Sequence, residues 1–523
     1  MAAVIPDTTA DQLSTKDLVR TKLIRWLRDE ANTRLDWIED DQPLAELGVD
    51  SIGVASISCE LERDTGKRLN PDVLFELENI QQIAEYLDQL PLASATGAKL
   101  PAIDRLQSES VEATSHVAPA NESPEMTGKS LVCHYKQLNG RIRQLMDKNA
   151  YFFETPISSH DGVWVVIDGQ RMLMLGSYQY LGMHSHPRLH VAGREALDEF
   201  GTGHHGARLL TGTTTLHKEL ERRLAQLMRT DGALVYSSGY VTNLSTISTL
   251  VDRSCVVIGD SLNHASIVDG CRMSGAEFLP FEHNDMDSLA AKLALASGRR
   301  TLVVVDAVFS MEGDIVDLPS VVDLCKQHQA MLMVDEAHSM GVLGKTGRGV
   351  QEHFGLADGD IDVKMGTLSK TFASMGGFVA ANEEIITFLR HHARGYIFSG
   401  ALTNPQVAAA IAAIDVLEQE HEWVEKLREI RDYYVSRLSQ LGFDLGDTQT
   451  PIVPIMTRNE ALTIEMTARC RQMGLMVVPV AFPAVPLNAP RLRTCISSLH
   501  TKEDIDFAID VLAQSGRACG LIA

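Results

Sequence analysis

"MGTLSKTFASMGG", residues 365–377, sets one lysine among small and hydroxylated residues. Lys370 follows Thr367 by three positions and precedes Gly376–Gly377. A solvated surface lysine needs no such company, so the stretch asks what this amine is for. It follows "DVKM" and precedes "GGFVAAN", and outward from it lie more short, β-branched, nearly all-apolar runs: "MLMVDEAH", "TLVVVDAVFS", "SCVVIGD" and "ALVYSSG". Helical patterns separate most of them. This alternation predicts a mostly parallel sheet covered on both faces, an α/β fold. From about residue 403 a long helical pattern leads into "PIVPIMT", "MVVPVAFP" and "RLRTCISS" and a last helix from "TKEDIDFAIDVLAQ", which predicts a smaller C-terminal α+β subdomain.

Ligand sites of open α/β sheets gather beyond the carboxyl ends of strands. Here four strand ends deliver polar groups. One gives Ser237, Ser238, Gly239 and Tyr240; another ends near Ser310; a third gives Asp335 and His338; the fourth gives Thr367 and Lys370. A lysine, a buried aspartate, a histidine and a Gly/Ser phosphate nest together suit pyridoxal 5'-phosphate (PLP). The amine bonds the aldehyde, the carboxylate keeps the pyridine nitrogen protonated, and backbone N–H groups with hydroxyls hold the phosphate.

From about residue 150 to 520 the chain resembles the α-oxoamine synthases, PLP-dependent transferases of fold type I, class II aminotransferase-like. The segments that carry the likeness include "VVIDGQRMLMLGSYQYLGMHSHP", "FGTGHHGARLLTGTTTLHKELE", "YSSGYVTN", "DSLNHASIVDG", "DAVFSMEGD", "VDEAHSMGVLG", "GTLSKTF", "FSGALTNP" and "RLRTCISSLHT", in family order. The resemblance implies that Lys370 carries the cofactor and that Thr367 holds its phosphate with Ser238 and the Gly239 and Tyr240 amides. It implies His264 stacked on the ring, Asp335 at the ring nitrogen, His338 at the phenolic oxygen and Ser310 in cofactor contact. Arg493 would bind the amino-acid carboxylate, and Ser399 would reach the phosphate of a neighbouring subunit in a homodimer. Four departures fall near the substrate: Gln179 in "SYQYLG", the pair His204–His205 in "GTGHHGARL", Gly400 for a Thr or Asn, and Ala481 for a second arginine. Gln179 and His204 are accordingly candidate substrate residues.

Composition breaks near residue 90. Residues 91–130, rich in Ala, Ser, Pro, Gly and Thr, read as a flexible linker. Residues 1–90 read as helical, with Leu18, Leu23, Trp26 and Leu27, then Ile52, Ala55, Ile57 and Leu61, then Ile80, Ile83 and Leu87 at helical spacing. This unit holds nine Lys and Arg against nineteen Asp and Glu, a net −10 of the chain's −22. Within it, "LAELGVDSIGVASISCELE" sets Ser51 where a loop becomes a helix, beside amides that favour an attached phosphate. Leu47, Gly48, Asp50, Ser51 and Ile52 resemble the acyl carrier proteins, which implies a small all-α four-helix carrier domain with 4'-phosphopantetheine on Ser51. Glu60, Glu62 and Asp64 would then form a docking face, and a phosphopantetheinyl transferase and an acyl-loading enzyme would be partners. The expected division is 1–90 carrier, 91–130 linker and 131–523 synthase, with its cofactor-binding part at about 175–400 and C-terminal subdomain at 401–523.

The bulk numbers agree with a cytoplasmic globular enzyme: 45% apolar and 22% charged residues. The net charge of −22 argues against nucleic acid or an anionic membrane surface as partner. No signal-peptide pattern opens the sequence, and no run approaches the roughly 18 apolar residues of a membrane span. Eight scattered cysteines form no C-x-x-C pair, and the paired histidines lack a completing carboxylate or thiol, so no metal is expected. "VDEAH" and "SMGVLGKTG" imitate nucleotide-hydrolysis motifs, but Ser339 stands where the first glycine belongs. The function this implies is decarboxylative condensation of a small amino acid with an acyl thioester carried on Ser51, giving an α-aminoketone. Two other readings stand beside it: the same chemistry on free acyl-coenzyme A, and a catalytically silent carrier-docking protein.

Overall fold

The computed structural model describes residues 14–29, 38–40, 61, 65, 79–90, 139–147, 150–481, 484–486 and 488–523. It divides into two compact units, Met1–Tyr151 with Ala481–Asn488, and Phe152–Val480 with Ala489–Ala523. In the first, helices Thr15–Asp29 and Ile80–Gln89 pack together through Val19, Leu23, Ile80, Ile83, Ala84 and Leu87, all buried. Asn79 caps the second helix by accepting from Gln82 N at 3.0 Å. Leu61 is fully buried and Leu18 half-buried. Ser51, Ile52, Glu60, Glu62 and Asp64 lie outside the described residues, so the expected second carrier helix is represented there only by Leu61 and Thr65.

The second unit is built on three sheets. Its strands in chain order are β1 (Ser159–Asp161), β2 (Trp164–Ile167), β3 (Gln170–Met174), β4 (Gly232–Tyr236), β5 (Cys255–Asp260), β6 (Glu277–Phe281), β7 (Arg300–Asp306), β8 (Met331–Asp335), β9 (Val363–Thr367), β10 (Gly377–Ala381), β11 (Ile452–Met456), β12 (Leu475–Met476), β13 (Val478–Val480) and β14 (Arg491–Cys495). Seven form the main sheet in the order β4-β10-β9-β8-β7-β5-β6. Only β10 runs against its neighbours, so the other six end at one edge.

The continuous apolar runs are explained by burial on both faces. Val256, Ile258, Val303, Val305, Leu332 and Val334 join the core on one side; Cys255, Val257, Leu302, Val304 and Met333 join that on the other. The first core continues through Val407, Ile414, Tyr434, Leu492 and Ile509, so the large and C-terminal parts of this unit share one apolar interior.

The C-terminal strands pair as β11-β14-β13, all antiparallel. The eleven residues around "DGQ", 164–174, form a hairpin, β2-β3, that adds β12 in parallel. That four-stranded sheet, β1-β2-β3-β12, was not foreseen from the sequence, because two-residue β12 has too few positions for any periodicity. Among the described residues, no helix is long and apolar enough to cross a membrane.

Candidate active site

The quoted stretch is a tight return between β9 and β10. Leu368 N donates to Gly376 O at 2.9 Å and Ala373 N to Lys370 O at 3.0 Å. Its glycines are there for close approach. A Cβ on Gly377 would stand 2.5 Å from Thr242 Oγ1, and one on Gly376, whose φ is +106°, would stand 2.8 Å from Tyr236 O. The return brings Lys370 beside the start of helix Gly239–Leu250, whose cap Ser238 accepts from Val241 N at 3.1 Å. The first-turn N–H groups of Gly239 and Tyr240 have no carbonyl a turn earlier in the helix to bond. A Cβ on Gly239 would meet Thr367 Oγ1 at 3.1 Å, so the helix end lies directly against that hydroxyl.

These elements enclose a cavity of about 240 Å³ lined by Ser238, Gly239, Tyr240, Asn243, His264, Ser266, Asp306, Ser310, Asp335, Ala337, His338, Met365, Thr367, Ser369 and Lys370. Asp335, the last residue of β8, has both oxygens engaged: Asn243 Nδ2 donates to Oδ2 at 2.7 Å and Ala337 N to Oδ1 at 2.8 Å. Asp306 is its register partner on β7 and accepts from His264 N at 2.7 Å. Burial, and then the Asp335 charge alongside, push the Asp306 carboxyl well above the usual carboxylate range.

Desolvation lowers Lys370 to about 8 against the opposing pull of Asp335 and Asp306. His264 is lowered by burial and carries its Nδ1 at 2.7 Å from Ser266 Oγ. His338 is also lowered by burial and then by Lys370, and its Nδ1 is 2.7 Å from the Tyr180 hydroxyl. Arg493, buried in β14, donates from Nε to Ser310 O at 2.7 Å.

Nine of the sequence-predicted residues therefore meet at one cavity: Ser238, Gly239, Tyr240, His264, Ser310, Asp335, His338, Thr367 and Lys370. Arg493 joins through the Ser310 carbonyl. Gln179 donates to Ser369 O at 3.4 Å but lines a second cavity. His204 and Ser399 do not line the Lys370 cavity. His204 lies against Gly400, the residue after Ser399, where a Cβ would stand 2.8 Å from the His204 ring.

Asp306 and Asn243 were missed. Asp306 had a signal, since "LVVVD" and "LMVD" end neighbouring strands in the same residue. Asn243 lies four residues after Gly239, on the helix face that carries its first turn.

The donor set suits PLP. It offers one amine of lowered basicity, a carboxylate fixed at both oxygens, a helix start with a hydroxyl against it, and a buried Asn243 Oδ1 that has no partner among the described residues. With the sheet order and the strand-end lysine, these features define a PLP-dependent enzyme of fold type I.

The comparisons narrow the class. The family model described as aminotransferase class I and II matches residues 170–512, and that of a phosphopantetheine attachment site matches residues 18–87. An 8-amino-7-oxononanoate synthase from Fervidobacterium nodosum is 40% identical over 394 residues, 74% of this chain and all of that protein. A serine palmitoyltransferase from Sphingobacterium spiritivorum is 42% identical over 71% of this chain and 94% of that protein. The structure of serine palmitoyltransferase from S. paucimobilis with a bound PLP–myriocin aldimine is similar with a TM-score of 0.73 at 36% identity, covering 75% of this chain and all of that one. The chain belongs to the aminotransferase class I and II family, within it to the α-oxoamine synthases, PLP-dependent acyltransferases, and carries a phosphopantetheine-attachment domain ahead of the synthase.

Proposed function

We propose that the protein condenses a small amino acid with an acyl group delivered as a thioester on Ser51 of its own carrier domain, releasing CO₂ and an α-aminoketone. The observation that carries this is the single cavity in which Lys370, Asp335, Asn243 and His264 meet at the start of a helix. PLP, when bound there, supplies an electron sink for the electron pair left at the amino acid's Cα. Thr367, Ser238 and the Gly239 and Tyr240 amides would hold its phosphate, and Lys370 its aldehyde carbon. Asp335, kept in place by Asn243 and Ala337, would hold negative charge at the ring nitrogen, with His338 at the phenolic oxygen.

The chain's own groups do the rest. Arg493 receives the amino acid's carboxylate. The Lys370 amine, at about 8, takes the Cα proton near neutral pH and returns it at the end. His264, with Nδ1 tied to Ser266, is left with Nε2 for the thioester carbonyl oxygen. The new bond joins Cα to the thioester carbonyl carbon; the pantetheine thiol leaves, and the carboxylate departs as CO₂.

Ser399 stands with His204 and the exposed Leu210 and Phe398 on segments bridged at Ala207 and Gly400. We read this as the part a homodimer partner would add to the other subunit's phosphate cradle. The expectation is a dimer by light scattering, and a monomer with full activity would remove it.

The deciding experiment loads Ser51 with an acyl-pantetheine and follows intact mass as each small amino acid is added. Discharge of the acyl mass with equimolar aminoketone supports delivery by the fused carrier. If Ser51→Ala and the parent protein turn over acyl-coenzyme A equally and loaded Ser51 never discharges, delivery is by coenzyme A. A colourless protein that turns over neither would be a docking protein.

A further inference from the structure

A second cavity of about 240 Å³ opens beside the cofactor cavity, under the hairpin that the sequence did not reveal. Gln179 lines it and also donates from Nε2 to the carbonyl of Ser369, the residue before Lys370. Cys495, two residues after Arg493 on β14, lines it too. The cavity therefore begins next to the reacting amine and the carboxylate-binding arginine. Its walls are mostly apolar, from Ile157, Val163, Val165 and Met174, and among the described residues no lysine or arginine lines it.

Six polar side chains line it; beside the exposed His160 and the hydroxyls of Ser177 and Ser497, three others decide what it can hold. His500 is committed: its Nδ1 accepts from Ser497 N at 2.9 Å and its Nε2 is 3.2 Å from Met174 O. Gln179 Oε1 and His184 Nδ1 are buried and have no hydrogen-bond partner among the described residues. Burial, and then the neighbouring His160 ring at 5.1 Å, hold His184 below its ordinary value, so the imidazole there is neutral. A buried polar atom without a partner is costly, and a buried carboxylate without a cation more so. Among the described residues the site thus offers an anionic chain end no lysine or arginine, and it offers hydrogen-bonding atoms to a neutral group.

We propose that this cavity receives the acyl chain of the thioester, and that Gln179 and His184 select an uncharged chain bearing one hydroxyl or amide group over one ending in a carboxylate. The inference rests on the condensation reading above and names its substrate class. The pantetheine arm carries amides of its own, but the apolar walls favour the chain.

The test uses the full-length protein with PLP bound. Octanoyl, hydroxyoctanoyl isomers and ω-carboxyoctanoyl pantetheine thioesters are assayed for amino-acid-dependent turnover. Their unreactive thioether analogues are measured for affinity by calorimetry. The expected order is at least one hydroxyoctanoyl isomer above octanoyl, with the carboxylate tenfold or more below. Gln179→Leu is expected to erase the hydroxyl preference, so that the hydroxyoctanoyl and octanoyl thioethers bind alike. Ile157→Trp, at a half-exposed position on the cavity wall, is expected to weaken all eight-carbon chains relative to acetyl.

Equal binding of the carboxylate overturns the proposal. So does a uniform loss for every thioether in Gln179→Leu, which would place the arm in the cavity. Absence of turnover with every thioester would sink the condensation reading instead, and the order of thioether affinities decides the subsite independently of it.

Discussion

Two clusters of buried charge sit at the same edge of the main sheet, and they are built to opposite ends. In one, His283 is held between Asp260, at 3.0 Å from Nδ1, and Asp314, at 2.9 Å from Nε2. Asp260 also accepts from Leu262 N and Asn284 N at 2.8 Å each. Hydrogen bonds to the two carboxylates, working against the cost of burial, raise His283 to about 10. In the other, Asp306 and Asp335 share the edge with Lys370, whose amine is lowered to about 8 while Asp306 is raised. The first cluster matches charge with charge and ties the end of β5 and the turn after β6 to the loop after β7. The second leaves its amine short of compensation. Charge that is matched locks backbone; charge left short moves protons.

The sharpest way to break this contrast is Lys370→Ala. Turnover is expected to fall by roughly 10⁴-fold or more, because in the proposed reaction one amine would both hold the cofactor and carry the Cα proton. The covalent cofactor signal should vanish from the peptide containing residue 370, read by borohydride reduction and mass spectrometry. Retained labelling at another lysine would remove the role assigned to Lys370. Next in size is Asp335→Asn. The substitution keeps the shape but removes the charge, and a loss of roughly 10²–10³-fold in kcat is expected, with KM for the amino acid moving far less. A variant within threefold of the parent would mean that the carboxylate is structural, like Asp260.

The sequence exposed the second cluster better than the first. Lys370, Asp335 and His338 sit in runs whose hydrophobic pattern ends abruptly in polar residues, so strand ends could be read directly. Asp306 ends its run in the same way, but the polar residue that carries the family likeness there is Ser310, four residues on. His283 gave no local sign at all: its partners are 23 and 31 residues away and meet it only once the sheet is assembled. The same holds for the second cavity. Gln179 was flagged by its departure from a family pattern, but the hairpin roofing its pocket pairs with a strand some three hundred residues later. Ser51, the best-marked residue of the first unit, lies outside the described residues, and its role rests on "LGVDSI" and on the family match over 18–87.

The smallest expected effects concern the matched cluster, and they sharpen the comparison by separating stability from chemistry. His283→Gln keeps hydrogen-bonding capacity but leaves Asp260 and Asp314 without a cation between them. Breaking a fully buried pair costs about 3–5 kcal/mol; with the imidazole partly exposed, about 2 kcal/mol is expected by urea unfolding, with kcat within a few-fold of the parent.

The pH dependence fixes the sign. His283 is raised in the folded protein, so its contribution is fully present below its unfolded value near 6.5 and is lost as pH rises through about 10. Lys370 is lowered, so in the cofactor-free protein its burial penalty is present below about 8 and relieved as pH rises from there toward 10.5. Measured without cofactor between pH 6.5 and 10, the gap in unfolding free energy between the parent and His283→Gln should therefore close. The gap between the parent and Lys370→Met, in which the variant is the more stable at pH 7, should shrink over the upper part of the same range. If the first gap held constant to pH 10, the imidazole would be neutral in the folded protein, and the two clusters would no longer differ in kind.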